Sequence, residues 1–527
     1  MEEEEKNRSI PSLTKTKLKQ QSKGFNLMND DLLQNILSRL PATSFASAAC
    51  VSKSWNAVCT RILSRPKLSS AVSLNRSPRV ALQEVLDKVL SEPIRPHFAI
   101  AYFSPGFVAE DVLQVMVEKL GSRTPILLSQ VPGILGRDAL THEYKEVMWN
   151  GEERCDDNTG IVLTVGFVPG LKVEVIPLLS YKEDQFVRDI KSYTSSVSGF
   201  TSPLAILMIG DAESVDQRSI IEKLDFALSK ETIIVGNESG LYLKYRSIDV
   251  SRNISSNLKC SPDAVALVFA RDREKDPGIG DIEFHFALSD GVSATGPRFK
   301  AISVRPKASS TWLTARREGQ QEILDGQHML DEIGNEMENH LEYADVYIGV
   351  TKRRKCSVGS DKPKLMTSLA LHGVERGDEE YLYVNGIGIR HGDCFQFYQP
   401  CPKTALSSCR KVSSALGNLK LDWDAKSSTS TRAIVTATEK KEAFGGLIIS
   451  CCGRGESFFG QPNIDGAPFL ENFPEVPVAG IFCGGEIGRG YTNLTMHEVQ
   501  EETSVPCHLH VYSTIYLLMS YTPPTEH

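Results

Sequence analysis

Leu32-Leu33-Gln34-Asn35-Ile36-Leu37-Ser38-Arg39-Leu40-Pro41, and after it Cys50-Val51-Ser52-Lys53-Ser54-Trp55, decide how the first part of this chain folds. Leu32, Leu33, Ile36, Leu37 and Leu40 recur at the three- and four-residue spacing of one helix face. Asn29 stands before the acidic pair Asp30-Asp31. An asparagine oxygen accepts from the free N–H groups of a first turn, and the carboxylates suit its positive end. Pro41 lacks the N–H that a continuing helix needs, so the first helix stops there. Thr43 or Ser44 then caps a second short helix bearing Phe45, Ala48 and Ala49. Val51, Trp55, Val58 and Ile62 lie along one face of a third. About 40 residues is near the lower limit for an independent core, so such a module is expected to lean on a partner. Leu33, Leu37 and Pro41 are expected to stand out from it and enter the partner as a helix in a groove.

The spacing of Ile36-Leu37-Ser38-x-Leu40-Pro41 to Val51-Ser52-Lys53-x-Trp55, in a stretch that starts at Leu27-Met28, resembles the F-box and sets that domain at residues 25–70. Asn29 stands where the family usually has proline, and it caps a helix as well as proline starts one. The resemblance implies binding to a Skp1-type adaptor and, through it, to cullin 1 and a RING protein of a ubiquitin ligase. Leu32, Leu33, Ile36, Leu37, Leu40, Pro41, Val51 and Trp55 are the residues onto which that role carries over.

Outward from this module, residues 1–24 are polar and charged, with the acidic run Glu2–Glu5, and are expected to be a disordered tail. Lys15, Lys17, Lys19 and Lys23 form an interrupted basic stretch, read either as a solvated tail or as a nuclear import signal. No apolar h-region follows Met1, and no run approaches the roughly 18 apolar residues that span a bilayer, so neither secretion nor membrane insertion is expected. A net charge of −8 and a pI near 5.9 argue against a general nucleic-acid binder. Twelve cysteines scattered through a chain of 527 residues suit reduced thiols in the cytoplasm or nucleus.

From residue 78 to 305 short apolar runs alternate with helical stretches. Phe98–Phe103, Ile126–Val131, Ile161–Val165, Leu204–Ile209, Ile233–Val235 and Ala264–Phe269 are expected strands; helices are expected near 79–91, 107–120, 184–193 and 214–230. Ser214 and Gln217 make a capping box. Ile282, Phe284, Phe286 and Leu288 alternate with polar residues, the signature of a half-buried strand. A further region, 306–527, is expected to open with a long helix near 314–340, which Asp325-Gly326 splits. It continues with strands at 345–350, 381–390 and 394–398, a helix near 403–417, a Ser/Thr-rich surface loop at 422–432, and glycine-rich strands from 444 to 521. No repeat at 20–29 residues marks a leucine-rich solenoid. The fold class is therefore α/β, mixed α+β, preceded by a small three-helix module.

Cys452-Gly453-Arg454-Gly455, Phe459-Gly460, Phe473-Pro474, Pro477–Phe482 and Gly484-Gly485-Glu486-Ile487-Gly488 resemble the FIST C domain, with Leu509-His510 and Tyr512, and with Ile389-Arg390, Gly392-Asp393 and Phe397. Phe103-Ser104-Pro105 and Gly133–Gly136 are looser matches to FIST N. An F-box followed by both FIST domains is similar to plant proteins labelled F-box/LRR-repeat. The resemblance implies a region that senses small ligands in signalling proteins, or that holds a client protein for ubiquitination.

Chemistry of its own finds little support. Gly453, Arg454, Gly455 and Glu486 are read in two ways: a small-ligand pocket in which arginine grips an anion, or an Arg454–Glu486 ion pair tying two glycine turns. Gly484–Gly490 does not follow the order of a nucleotide loop. Cys507, His508 and His510 lack a Cys-x-x-Cys partner, so no metal or other cofactor is expected. Cys452 and His510 are the best nucleophile and base on offer, without a third orienting residue, so no catalytic residue is assigned and the chain is not expected to be an enzyme.

Overall fold

The computed structural model describes residues 29–149, 159–179, 182–211, 217–253, 262–334, 346–428, 440–489 and 507–524. The expected tail at 1–24, Leu27, Met28, Ser214 and Gly490 lie outside the described residues. Helix accounts for 29% and strand for 40%, which makes the chain mixed α/β as expected. It divides into two compact units, Met1–Ser64 with Leu90–Arg95, and Arg65–Val89 with Pro96–His527.

The first unit holds three short helices, α1 (Asp30–Leu37), α2 (Ala42–Ala49) and α3 (Lys53–Ile62). Asn29 caps α1, its side-chain oxygen accepting from the Asp31 N–H at 3.3 Å, and Ser52 caps α3 by accepting from the Trp55 N–H at 3.2 Å. Pro41, not Thr43 or Ser44, is the residue before α2; both hydroxyl residues lie inside that helix. Leu33, Leu37, Phe45, Ala48, Val58 and Cys59 form the core. Val51 lies ahead of α3 rather than on it.

In the second unit the strand β1 (Lys67–Ser73) pairs with β6 (Ile161–Phe167), beside β2 (Phe98–Phe103) and β3 (Ile126–Gln130). The same sheet continues through β9 (Ile233–Arg246), β8 (Ala205–Asp211), β10 (Ala264–Arg271) and β7 (Leu171–Leu178). β2 and β6 are buried at every position, which is why they read as unbroken apolar runs. A second sheet runs β11 (Asp281–Ser289), β22 (Thr514–Thr522), β18 (Glu442–Cys451), β19 (Val478–Cys483), β4 (Gly133–Arg137) and β5 (Tyr144–Met148). β18 and β19 are parallel, with Cys451 opposite Cys483. β20 (Glu486–Arg489) joins the first sheet through β9 and carries β21 (His508–His510). Early and late parts of the chain thus share both sheets.

A closed barrel follows the order β12 (Val292–Lys307), β13 (Ser310–Arg317), β16 (Leu382–Asn385), β15 (Lys364–Gly377), β14 (Tyr347–Cys356) and β17 (Cys394–Pro400). Its strand β12 crosses residue 305. Two expectations are corrected here. Residues 310–317 are a strand that buries Thr311, Leu313 and Ala315 in alternation, so the helix expected over 314–340 is confined, among described residues, to Gly326–Gly334. Asp325 opens that helix, accepting from the His328 N–H at 2.9 Å, rather than splitting one. The helix expected near 403–417 runs on as Pro402–Ser428 and buries Trp423, so residues 422–428 are not a surface loop.

Candidate functional site

α1 leaves two apolar side chains to solvent among its polar ones. Leu33 and Leu37 point into the core, 5% and 0% exposed, whereas Leu32 and Ile36 are 55% and 43% exposed. This reverses part of the sequence reading, in which Leu33 and Leu37 were the outward residues. Leu32 and Ile36 stand one turn apart, side by side on the outer surface. Val51 is 63% exposed and Pro41 is exposed, while Leu40 and Trp55 are half-buried against the core. The six-residue core does not absorb these side chains, which leaves an exposed apolar set on a small unit. The exposed Arg61–Asp30 ion pair at 2.9 Å ties the first helix to the third and adds little stability.

The residues expected to frame a pocket are arranged differently. Arg454 is fully buried, and its guanidinium pairs with Asp465 at 2.6 Å instead of with Glu486. Its other N–H groups donate to the carbonyls of Ser289 and Tyr512, to the Ser289 hydroxyl and to the Cys409 sulfur. Asp465 in turn accepts from Ser450 and Thr514, each at 2.9 Å. Every arm of Arg454 is therefore engaged, and none reaches a surface where an anion could meet it. Gly453 makes room for Tyr512, whose ring lies 2.6 Å from where a Cβ would sit, and Gly455 adopts φ +98°, a conformation glycine tolerates. The glycines serve packing and a turn rather than a ligand cradle. Sequence reasoning missed Asp465, whose only local signal is the Asp465-Gly466 pair, and that gives no hint of a partner eleven positions back.

Glu486 is buried apart from Arg454. One oxygen accepts from the N–H and hydroxyl of Ser513, at 3.2 and 2.8 Å, and the other from the Cys483 thiol. Burial pushes its carboxyl up to about 8 against these bonds, so it is largely protonated near neutrality. Glu146, beside the Gly466 N–H, is raised to about 7, again mainly by burial. His508 and His510 share one face of β21 with ring centroids 6.1 Å apart, and burial lowers each to about 4. Among the described residues no group of three or more His, Cys, Asp or Glu is placed to hold a metal ion. A cavity of about 410 Å³ lies elsewhere, lined by residues that include Arg271, Glu231 and His285, and neither Arg454 nor Glu486 reaches it. Among the described residues no helix is long and apolar enough to cross a membrane.

Comparison with known proteins agrees with this division. The F-box domain matches residues 25–66, and the FIST C domain matches residues 344–489. An F-box/LRR-repeat protein of Arabidopsis thaliana is 44% identical over 511 residues, covering 94% of this chain and 93% of that protein. Despite the repeat in that relative's name, the described strands here form two mixed sheets and a barrel, not one parallel strand per repeat. With the exposed face of α1 falling inside the matched domain and similarity running over nearly its whole length, the chain belongs to the F-box protein family.

Proposed function

We propose that this chain is the substrate-recognition adaptor of a Skp1–cullin–F-box ubiquitin ligase. The observation that carries the reading is the exposed apolar set Leu32, Ile36 and Val51 on the three-helix unit that matches the F-box. A Skp1-type adaptor covers this face, and cullin 1 and a RING protein follow through it. The larger unit, with the FIST C match and a FIST N-like part in residues 78–305, holds a client protein. Catalysis is indirect: holding a client lysine near charged ubiquitin raises its effective concentration without a catalytic side chain of this chain's own. The cytoplasm or nucleus is the compartment in which such a ligase works. A ligand-sensing role through Arg454 and Glu486 loses its support, because both are sealed and internally bonded.

The test is reconstitution. Purified chain mixed with a Skp1-type adaptor, cullin 1 and a RING protein is expected to elute from a sizing column as one complex. Separate elution at low salt removes the reading.

A further inference from the structure

The chain carries a net charge of −8, yet residues 351–369 hold six basic side chains and one acidic one, Asp361. They form the projecting hairpin of β14 and β15, in which Lys355 pairs with Leu365, Arg353 with Thr367 and Thr351 with Leu369. Directly opposed residues of an antiparallel pair share a face. The sheet therefore splits the run Lys352-Arg353-Arg354-Lys355 in two. Lys352 is buried, and Arg354 pairs with Asp393 at 2.6 Å. Arg353 and Lys355 point the other way, exposed, and among the described residues neither has a carboxylate within ion-pair distance.

Between and beside them stand Leu365, 56% exposed, and Leu369, 37% exposed. The inner side of the hairpin is anchored: the Ser368 hydroxyl donates to Glu222 at 2.9 Å, and the Lys364 ammonium lies over the Phe226 ring. The outer face thus carries a row of two cations and two leucines that no described residue covers. Residues two apart on a strand are separated by about 7 Å, the repeat at which an extended peptide presents alternate side chains.

We propose that this outer hairpin face is the docking surface for an acidic, extended client segment. Its carboxylates would meet Arg353 and Lys355, and its apolar side chains Leu365 and Leu369. This deepens the client-binding half of the proposed function and rests on it. Nucleic acid is the poorer match, because the face offers no aromatic ring on which a base could stack.

The probe is a fluorescent peptide of about ten residues alternating Asp and Leu, titrated into the full chain bound to a Skp1-type adaptor at about 0.15 M salt. Arg353→Glu with Lys355→Glu is expected to weaken binding at least about tenfold, since like charges now face each other. Leu365→Ser with Leu369→Ser is expected to weaken it about threefold to tenfold. All four positions are exposed, so both variants are expected to keep the wild-type melting temperature and adaptor affinity. The proposal is overturned if wild type does not bind by about 1 mM peptide, or if the charge-reversed variant binds equally well. Tighter binding of an oligothymidylate than of the peptide also overturns it. An all-aspartate peptide that binds as tightly removes the leucines from the account. Loss of adaptor binding by wild type would instead strike the adaptor reading itself.

Discussion

In the helical unit Leu32, Ile36 and Val51 face solvent, while in the α/β unit Arg454, Asp465 and Glu486 are shut away from it. Each arrangement is unfavourable taken alone. Exposed leucine-type surface orders water that burial would release, and a buried charge loses its hydration. The difference lies in what offsets the cost. Arg454 and Asp465 are bonded to each other and to surrounding hydroxyls and carbonyls, so their cost is met within the fold. Among the described residues nothing in the helical unit offsets the exposure of Leu32 and Ile36, and the proposed adaptor would. Buried charge here signals a clamp, and exposed apolar surface signals an interface.

The largest effect is expected from Arg454→Met, which leaves Asp465 buried and unpaired and lowers the stability of the α/β unit by about 3–5 kcal/mol in urea unfolding. A loss under about 1 kcal/mol would mean the pair is not a clamp. Leu37→Ala opens a void under Phe45 and Val58, and the helical unit is expected to lose about 2–5 kcal/mol.

Glu486 sharpens the account through pH. Its folded pKa of about 8 lies above the ordinary carboxylate value, so the folded state holds a proton that the unfolded state has lost. Stability is then present in full below about pH 4.5 and falls as pH rises toward 8. The buried histidines work in the opposite sense, with folded values near 4; they add stability as pH rises from about 4 to 6.5 and nothing above. Between pH 6.5 and 8 the wild type is expected to lose on the order of 1–2 kcal/mol that Glu486→Gln does not lose. Parallel melting curves for the two proteins would contradict a buried, protonated Glu486. A smaller effect, about 1 kcal/mol, is expected for Asn29→Ala, read from the melting of the helical unit.

How much of this was legible in sequence depended on how local the cause was. The three helices were, because Asn29, Pro41 and the apolar spacing act within a turn or two. Which of the apolar residues face inward was not. Leu32, Leu33, Ile36 and Leu37 make a stripe wider than the core, and packing on Phe45 and Val58 chooses Leu33 and Leu37. The buried strands of the large unit announced themselves as apolar runs, while β13 did not, its inward residues being as small as Thr311 and Ala315. The barrel closes through pairings far apart in sequence, such as β12 with β17, which no local pattern encodes. Arg454 was legible as a special arginine between glycines. Its partner Asp465 was not, since only the fold brings the two together.

Leu32→Asp with Ile36→Asp should have the least effect on folding, within about 0.5 kcal/mol, because both side chains already face water. The same variant provides the most direct measurement of the central claim: titration of a Skp1-type adaptor into wild type and into this double variant, with both melting curves recorded. Adaptor binding by wild type and its loss in an equally stable variant is the expected result. Equal binding by both proteins would show that the exposed face of the first helix is not the interface.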